Sequence, residues 1–356
     1  MKLDSIEPRY FRNLAPAAIT FHERANIIVG RNGHGKTNLL EAIYFLATTR
    51  SFRTNRLASM AQFGSKEVFV SGLVERTGVQ RKLSAGLDVG ESRRRVLMLN
   101  GERVALPAYL SAMSVLAYSA GRLEILRGAP DERRRFLDRG LASMEPGYLE
   151  FLTRYGRILR QRNALLHEGS TAGLEGWDAE FTQAGEAIQT ARASYAAALQ
   201  KELDAIVEEH GYHVRGVRMA YTPSRSESLA KLRPLELRAR MSLTGPQRDT
   251  LDFLIDGRVA SEVLSGGEQK IIVLFLKFAK LVLFRRRFEE AAIFLLDDVD
   301  AELDLEVLQK LLLGLPPSTQ VFGTSAKEPF LAALEAGPHR RLVVENGRVI
   351  ASRDFA

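Results

Sequence analysis

Residues Gly30-Arg31-Asn32-Gly33-His34-Gly35-Lys36-Thr37 have the composition and spacing of a phosphate-binding loop. In such a turn, backbone N–H groups and a helix N-terminus converge on phosphate oxygens. Gly33 and Gly35 allow positive φ and close approach of the backbone to a ligand. Lys36 is placed to bridge the β- and γ-phosphates of a nucleoside triphosphate, and the Thr37 hydroxyl to ligate Mg²⁺. A second constellation is Ile293-Phe294-Leu295-Leu296-Asp297-Asp298. Asp297 is the expected Mg²⁺-linked carboxylate, and Asp298 is placed to orient or deprotonate water. A third is Leu264-Ser265-Gly266-Gly267-Glu268-Gln269. Ser265 and Glu268 have capping-box spacing, and the capped helix N-terminus would face a γ-phosphate.

These groups work only if secondary structure aims them. Ile27-Ile28-Val29 reads as a buried strand and Thr37 to Ala47 as an apolar helix, so the Gly-rich loop sits between strand and helix. Four apolar residues ahead of Asp297 read as a central parallel strand, whose carboxyl end is where ligands bind in such sheets. Val68–Val74 and Arg81–Leu87 alternate as strands, and hairpins are expected at Asn100-Gly101 and Asn346-Gly347. Strand character is also expected at Tyr212–Tyr221 and Thr319–Thr324. The pattern turns helical near Ala129-Pro130, where proline can open a helix. Tyr148, Leu152, Tyr155, Leu159 and Leu166 recur at helical spacing, as do Phe181, Ala184, Ile188, Ala191, Tyr195, Leu199, Leu203 and Ile206. The Gly169–Gly176 break joins them into an antiparallel helical hairpin arm. Asp131–Arg162 carries eight Arg against five acids and Glu175–His210 eight acids against two bases, which predicts ion pairing within the arm. The expected organisation is an ATPase head built from residues 1–118 and 212–356, with an arm domain, 119–211, inserted between.

Composition narrows the classes. At 356 residues and 46% hydrophobic content the chain can bury a full core. It has no Cys, which excludes disulfides, thiol catalysis and Cys-based metal sites and fits a reducing, cytoplasmic setting. His210 and His213 alone make a weak metal pattern. No apolar run reaches membrane-spanning length. Net charge is +7 and 39 of the 50 basic residues are Arg. That composition suits either a nucleic-acid footprint or a solvated Arg-rich surface. Arg50, Arg53 and Arg56, on a polar loop after the first helix, are the leading candidates for DNA contact. Arg154, Arg157 and Arg160 on the arm come next.

Leu264–Gln269 is the signature of ABC-type ATPases, in which it completes the nucleotide site of a second head. The chain is thus expected to be α/β: an ABC-type ATPase head with a P-loop sheet and an inserted α-helical hairpin arm. ATP would then join Lys36 of one copy to Ser265-Gly266-Gly267 of another. Most such heads carry Glu where Asp298 stands, so weak hydrolysis is expected, serving as a dimerisation timer. Over essentially its whole length the chain resembles the RecF family of bacterial recombination mediators, related to SMC heads. The resemblance rests on Phe11-Arg12-Asn13, the phosphate loop, Arg50-Ser51-Phe52-Arg53, Gly128-Ala129-Pro130 followed by Arg133-Arg134, Gly245-Pro246, and Asp297-Asp298-Val299 followed by Glu302-Leu303-Asp304. It departs at Ala120-Gly121-Arg122, at Gln247 where the family often has His, and at Ala301. Thr324 falls near the ABC switch His and could hydrogen-bond phosphate or water. The resemblance implies an ATP-dependent homodimer on double-stranded DNA near single-strand gap junctions. It also implies RecR and RecO as partners that help RecA displace single-strand-binding protein. The alternative is the nucleotide-binding subunit of an ABC transporter, in which Lys36 and Ser265 would be about 100 positions apart. Here they are 229 apart, with the arm between. A third reading, a long SMC-like scaffold, would need hundreds of residues of coil.

Overall fold

A computed structural model describes all residues except 91–93, 120–122, 146, 210–215, 226–227, 299–304, 317 and 326–336. The expectations attached to Ala120-Gly121-Arg122, His210, His213, Val299, Ala301, Glu302, Leu303 and Asp304 lie outside the described residues. In chain order the elements begin with β1 (Lys2–Arg9), β2 (Ile19–Thr20), β3 (Ala25–Val29) and α1 (Lys36–Thr48). Then come β4 (Glu67–Arg76), β5 (Val79–Asp88), β6 (Arg95–Leu99), β7 (Glu102–Arg103), α2 (Leu106–Leu110) and β8 (Val115–Ser119). The middle of the chain is α3 (Glu124–Arg127), α4 (Pro130–Met144), α5 (Tyr148–Glu168), α6 (Leu174–Glu209), β9 (Arg218–Thr222), α7 (Leu229–Ala239), β10 (Thr250–Ile255), β11 (Arg258–Val259) and α8 (Ala260–Val263). It closes with α9 (Gly266–Phe288), β12 (Ile293–Asp297), α10 (Leu305–Leu313), β13 (Val321–Thr324), β14 (His339–Glu345) and β15 (Arg348–Phe355).

Two units emerge: Met1–Arg122 with Glu209–Gly211 and Gly266–Ala356, and Leu123–Glu208 with Tyr212–Ser265. The first holds two six-stranded sheets. One runs β15-β14-β3-β13-β12-β8, and from β14 to β8 all its neighbours are parallel. The other, β2-β1-β4-β5-β6-β7, is antiparallel throughout. Helix α1 is buried at Leu39, Leu40, Ala42, Ile43, Phe45, Leu46 and Ala47, apolar on almost every side as a helix enclosed by both layers must be. Its side chains share one core with Leu3, Ile6, Val70 and Leu83 of the antiparallel sheet and Ile28, Leu295 and Phe322 of the parallel one. The Asn-Gly turns form as expected: Asn100 and Gly101 sit at φ 53° and 88°, Asn346 and Gly347 at 47° and 78°. Both central residues at positive φ suit the twist of a hairpin.

The second unit corrects the expected boundary, because residues 212–265 group with the helices and not with the head. Buried charge networks within the unit are the physical reason. Arg192 on α6 is 3% exposed. It binds Asp138 of α4 through two bonds of 2.9 Å, Asp249 Oδ2 at 2.8 Å and the Pro246 carbonyl at 2.7 Å. Asp249 also accepts from Gln189, Tyr221 and the Ser224 N–H. Arg162 on α5, fully buried, binds Asp178 of α6, Glu236 of α7 and Ser242. Breaking one side of such a buried pair costs about 3–5 kcal/mol, so these networks fasten the segment to the helices. The expected ion pairing within the arm is present at Arg162–Asp178, Arg192–Asp138 and, on the exposed face, Arg154–Glu180. Gly169 ends α5 at φ 74°, and the first helical stretch is divided between α4 and α5. Strand β9 starts at Arg218 and pairs with β10, which the sequence patterns did not reveal. Among the described residues no helix is long and apolar enough to cross a membrane.

Candidate nucleotide site

The phosphate loop leaves β3 and enters α1, as the spacing requires. Gly30 sits at φ 149°, and a Cβ there would lie 2.2 Å from the Val344 carbonyl oxygen, so only glycine fits against β14. Gly33 and Gly35 take φ values of 81° and 113°. The loop is braced from outside: the Gly347 N–H donates to the His34 carbonyl at 2.8 Å and Asn13 Nδ2 to the Gly33 carbonyl at 3.4 Å. Arg31, Asn32 and Gly33 are exposed at its rim. Lys36 is buried, and its ammonium donates to the Gly30 carbonyl at 2.7 Å, the Arg31 carbonyl at 3.3 Å and Asn32 Oδ1 at 3.4 Å. The charge is therefore held over the cradle by the loop's own acceptors.

Three neighbouring parallel strands end at the same level. Asp297 closes β12, its register partner Ser119 closes β8, and Thr324 closes β13. Thr37 Oγ1 donates to Asp297 Oδ1 at 2.8 Å and Thr324 Oγ1 to the same oxygen at 3.1 Å. Ser119 Oγ lies 3.5 Å from Asp297 Oδ2. Thr324 also accepts the Asp298 N–H at 2.9 Å, so its hydroxyl is spent on aligning the Asp pair. Asp298 is exposed with a left-handed backbone, φ 48°. Burial, then repulsion from Asp298, pushes the Asp297 carboxyl up to about 6, against the lowering effects of Thr37, Thr324 and Arg53.

A raised folded pKa means that this carboxyl favours the fold most when protonated. Its contribution is full below the unfolded value of 3.8 and is lost as pH rises through about 6. The ionised group then costs the metal-free protein about 3 kcal/mol at neutral pH. Asp297→Asn keeps an acceptor for Thr37 and Thr324 without the charge. The variant should unfold a few degrees higher than the parent at pH 7.5, with the difference closing toward pH 4. A calorimetric comparison in which the parent is the more stable at pH 7.5 would contradict this account.

Several residues outside the recognised motifs join the site. Glu41 on α1 is fully buried and takes two bonds from Arg12, at 2.8 and 2.9 Å, one from Ser51 at 2.5 Å and one from Arg53 at 3.4 Å. Arg53 donates to Asn38 Oδ1 at 2.7 Å, Asn38 to Asn13 Oδ1 at 2.7 Å, and Asn13 reaches Gly33. A continuous polar chain thus runs from the phosphate loop to the segment carrying Arg50, Arg53 and Arg56. All three are exposed, but Arg53 is also a partner of the loop's supports. The only sequence hint of this chain is a carboxylate at position 41 in an otherwise apolar helix.

The signature lies at the head of α9. Gly266, Gly267 and Glu268 form the first turn and Ser265 directly precedes it. Ser265 and Gly266 are exposed, while the helix behind them is buried at Ile271, Ile272, Leu274, Phe275, Leu276 and Phe278. Val259 and Val263, just upstream, are 41% and 42% exposed. A long buried helix therefore presents its N-terminus to the outside of the molecule.

A P-loop on a parallel sheet, an Asp pair at the end of the strand two places along that sheet and a signature helix reached only after an inserted helical unit define an ABC-type ATPase head. The family model described as the RecF/RecN/SMC N terminal domain matches residues 2–337. The chain belongs to the RecF family. The DNA replication and repair protein RecF of Geotalea daltonii is 32% identical over 365 residues, covering 98% of this chain and 100% of that protein. A solved structure of the recombination mediator protein RecF-ATP in the RecFOR pathway aligns with TM-score 0.85 at 26% identity, over 99% of this chain and 97% of that one. The SmcHead bound to the C-winged helix domain of ScpA shares the fold, with TM-score 0.57 at 16% identity, over 100% of this chain and 97% of that one. Membership of this family sets aside the transporter-subunit alternative.

Proposed function

We propose that this chain is an ATP-gated DNA clamp of recombinational repair. Two copies close on ATP, bind duplex DNA near single-strand gaps, and help load recombinase together with RecR and RecO. The observation that carries this reading is a formed phosphate loop in a chain whose signature helix presents its N-terminus outward. Ser265 and Gly266 are exposed, so the signature is open to a second copy's nucleotide. The solved relative named with ATP supports the choice of nucleotide.

The residues fit a hard divalent cation. Thr37 Oγ1 and Asp297 Oδ1 are 2.8 Å apart, and Asp297 is a buried carboxylate at a disfavoured ionisation. Among the described residues no three His or acidic side chains cluster, so Mg²⁺ would draw its other ligands from phosphate and water. When bound it neutralises charge on the β- and γ-phosphates. Lys36 adds a second positive charge there, and Asp298 orients the attacking water. Hydrolysis then acts as a timer for dimer opening.

The test is sedimentation of the purified protein with and without ATP and duplex DNA, which should give dimers only with ATP. Asp298→Asn should slow turnover and prolong those dimers. For the DNA face, Arg53 is left intact, because a carboxylate there would oppose buried Glu41. Arg50→Glu with Arg56→Glu should lower duplex affinity about tenfold or more at low salt, on any sequence, and flatten the salt dependence. ATP binding should not change. Equal duplex affinity in parent and variant would move the DNA face elsewhere, with Arg154, Arg157 and Arg160 next to be tried.

A further inference from the structure

Phe63 is 105% exposed, as open to solvent as in an extended peptide, although the chain buries Phe11, Phe45, Phe275, Phe294 and Phe322 completely or nearly so. It does not sit on a loose loop. Residues Gln62-Phe63-Gly64-Ser65 form a turn closed by the Ser65 N–H to the Gln62 carbonyl at 2.9 Å, with Gly64 at φ 82° as a type II turn requires. Ser65 Oγ braces the far side through the Glu67 carbonyl and N–H at 3.0 and 3.1 Å. On the near side the Gln62 N–H binds the Tyr10 carbonyl at 2.9 Å, Phe11 bridges to Ala61, and the Arg12 N–H binds the Met60 carbonyl at 2.7 Å. Tyr10, on that adjoining segment, is itself 51% exposed. A rigid backbone thus holds out an aromatic ring that does nothing for its own fold.

The surroundings indicate what the ring meets. From Ala42 to Lys66 the chain carries Arg50, Arg53, Arg56 and Lys66 and no Asp or Glu. Exposed Glu67 follows, opposite Asp88 on the next strand, so the excess of positive charge lies on the Arg50–Arg56 side of the turn. Glu41, just before this stretch, is buried under Arg12, Ser51 and Arg53. Glu7, near the end of β1, is taken by Arg9 at 2.8 Å. A cationic segment that leads into an upright aromatic suits a nucleic acid with a free base face. Phosphates meet the cations and a base stacks on the ring. An acidic peptide would supply the charge but leave the fully extended ring without a flat partner.

We propose that Phe63, flanked by Tyr10, is a stacking wedge for an unpaired nucleobase, placed to read the edge of a DNA gap. This rests on the DNA-clamp reading and assigns it a recognition element. Arg12 lies on the segment that pairs with the turn, and its guanidinium grips Glu41 on the phosphate-loop helix. The wedge is therefore registered to the nucleotide site and not free to drift from it.

The experiment uses the full chain with ATPγS and two DNAs of equal length. One is a continuous duplex, and the other is gapped, with 2-aminopurine as the first unpaired base. The parent should prefer the gapped DNA and quench the 2-aminopurine. Phe63→Ala should lose about tenfold on the gapped DNA, in the range of one lost base–aromatic stack, and lose the quenching. Its duplex affinity and ATP-dependent dimerisation should stay as in the parent. Phe63→Trp, in a Trp177→Phe background that removes the chain's single native Trp, should retain gap preference and report binding by its own fluorescence. Gapped-DNA binding by Phe63→Ala equal to the parent overturns the wedge. So does an equal loss on both DNAs, which would make the patch a general backbone contact. So does a variant unaltered on DNA but deficient in binding RecR or RecO, which would make it a protein surface. A parent that binds neither DNA with nucleotide present overturns the clamp reading together with the wedge.

Discussion

Replacing Lys36 with alanine is expected to lower ATP affinity on the order of 100-fold, since charge-assisted bonds worth ~1.5–3 kcal/mol each are lost. The ammonium already sits at the loop, held by Gly30, Arg31 and Asn32 at 2.7–3.4 Å. Nucleotide would exchange some of these acceptors for phosphate oxygens with little movement of the side chain. The substitution acts on the empty protein too. It strips a donor from two carbonyls in a tight loop, which costs roughly 1–3 kcal/mol where such groups are buried. Two measurements separate the effects: titration with a fluorescent ATP analogue, and thermal unfolding without nucleotide. Lys36→Arg should recover part of the second and little of the first, because the longer planar group does not reproduce the point charge. An alanine variant that binds ATP within a few-fold of the parent would remove Lys36 from the site.

The second large effect is expected at Ser265. Ser265→Arg should leave ATP binding by a single chain within about twofold of the parent, while ATP-induced dimers disappear from sedimentation profiles. The residue precedes α9, and its side chain faces solvent in the single chain. Position 265 is exposed and lies outside the buried core of α9, so an arginine there should leave the core intact, which thermal unfolding of the variant checks. At the γ-phosphate of a facing copy, by contrast, its bulk would displace the Gly266–Gly267 backbone that must come close. Exposed Val259 and Val263 beside the signature support a contact surface at this end, and their apolar area would strengthen it by roughly 25 cal/mol per Å² buried. Normal dimerisation of the Ser265 variant with ATP would refute a site shared between copies.

These two predictions use residues that the chain announces locally. Gly30 to Thr37, the run into Asp297-Asp298 and the signature are each contiguous, because a phosphate cradle is made from successive N–H groups and needs glycine where φ turns positive. The Asn100-Gly101 and Asn346-Gly347 turns were legible for the same reason. The stripe from Phe181 to Ile206 marked α6, since seven of its eight apolar positions are buried along one helix. Amphipathic spacing is a property of a single segment, and that segment alone suffices to reveal it.

Other features are held by partners far apart in the chain, and local pattern carries no record of them. The Asn13–Asn38–Arg53–Glu41 chain joins four segments around the phosphate loop, and a polar side chain's partner is set by what the fold brings near it. The opposed charges of the two helical stretches predict ion pairs, but not that Arg162 and Arg192 are buried with Asp138, Asp178, Glu236 and Asp249 converging on them. That convergence groups residues 212–265 with the helical unit. Thr324 is expected from the sequence to hydrogen-bond phosphate or water, and the tertiary structure adds its bonds to Asp297 and the Asp298 N–H. By itself the sequence determined which residues can cradle a triphosphate and which helices and hairpins form, since backbone conformation and periodicity are local. Only the tertiary structure decided which charges are buried, where the second unit begins and that Phe63 is held out on a braced turn, because burial and charge pairing depend on every segment that packs around a side chain.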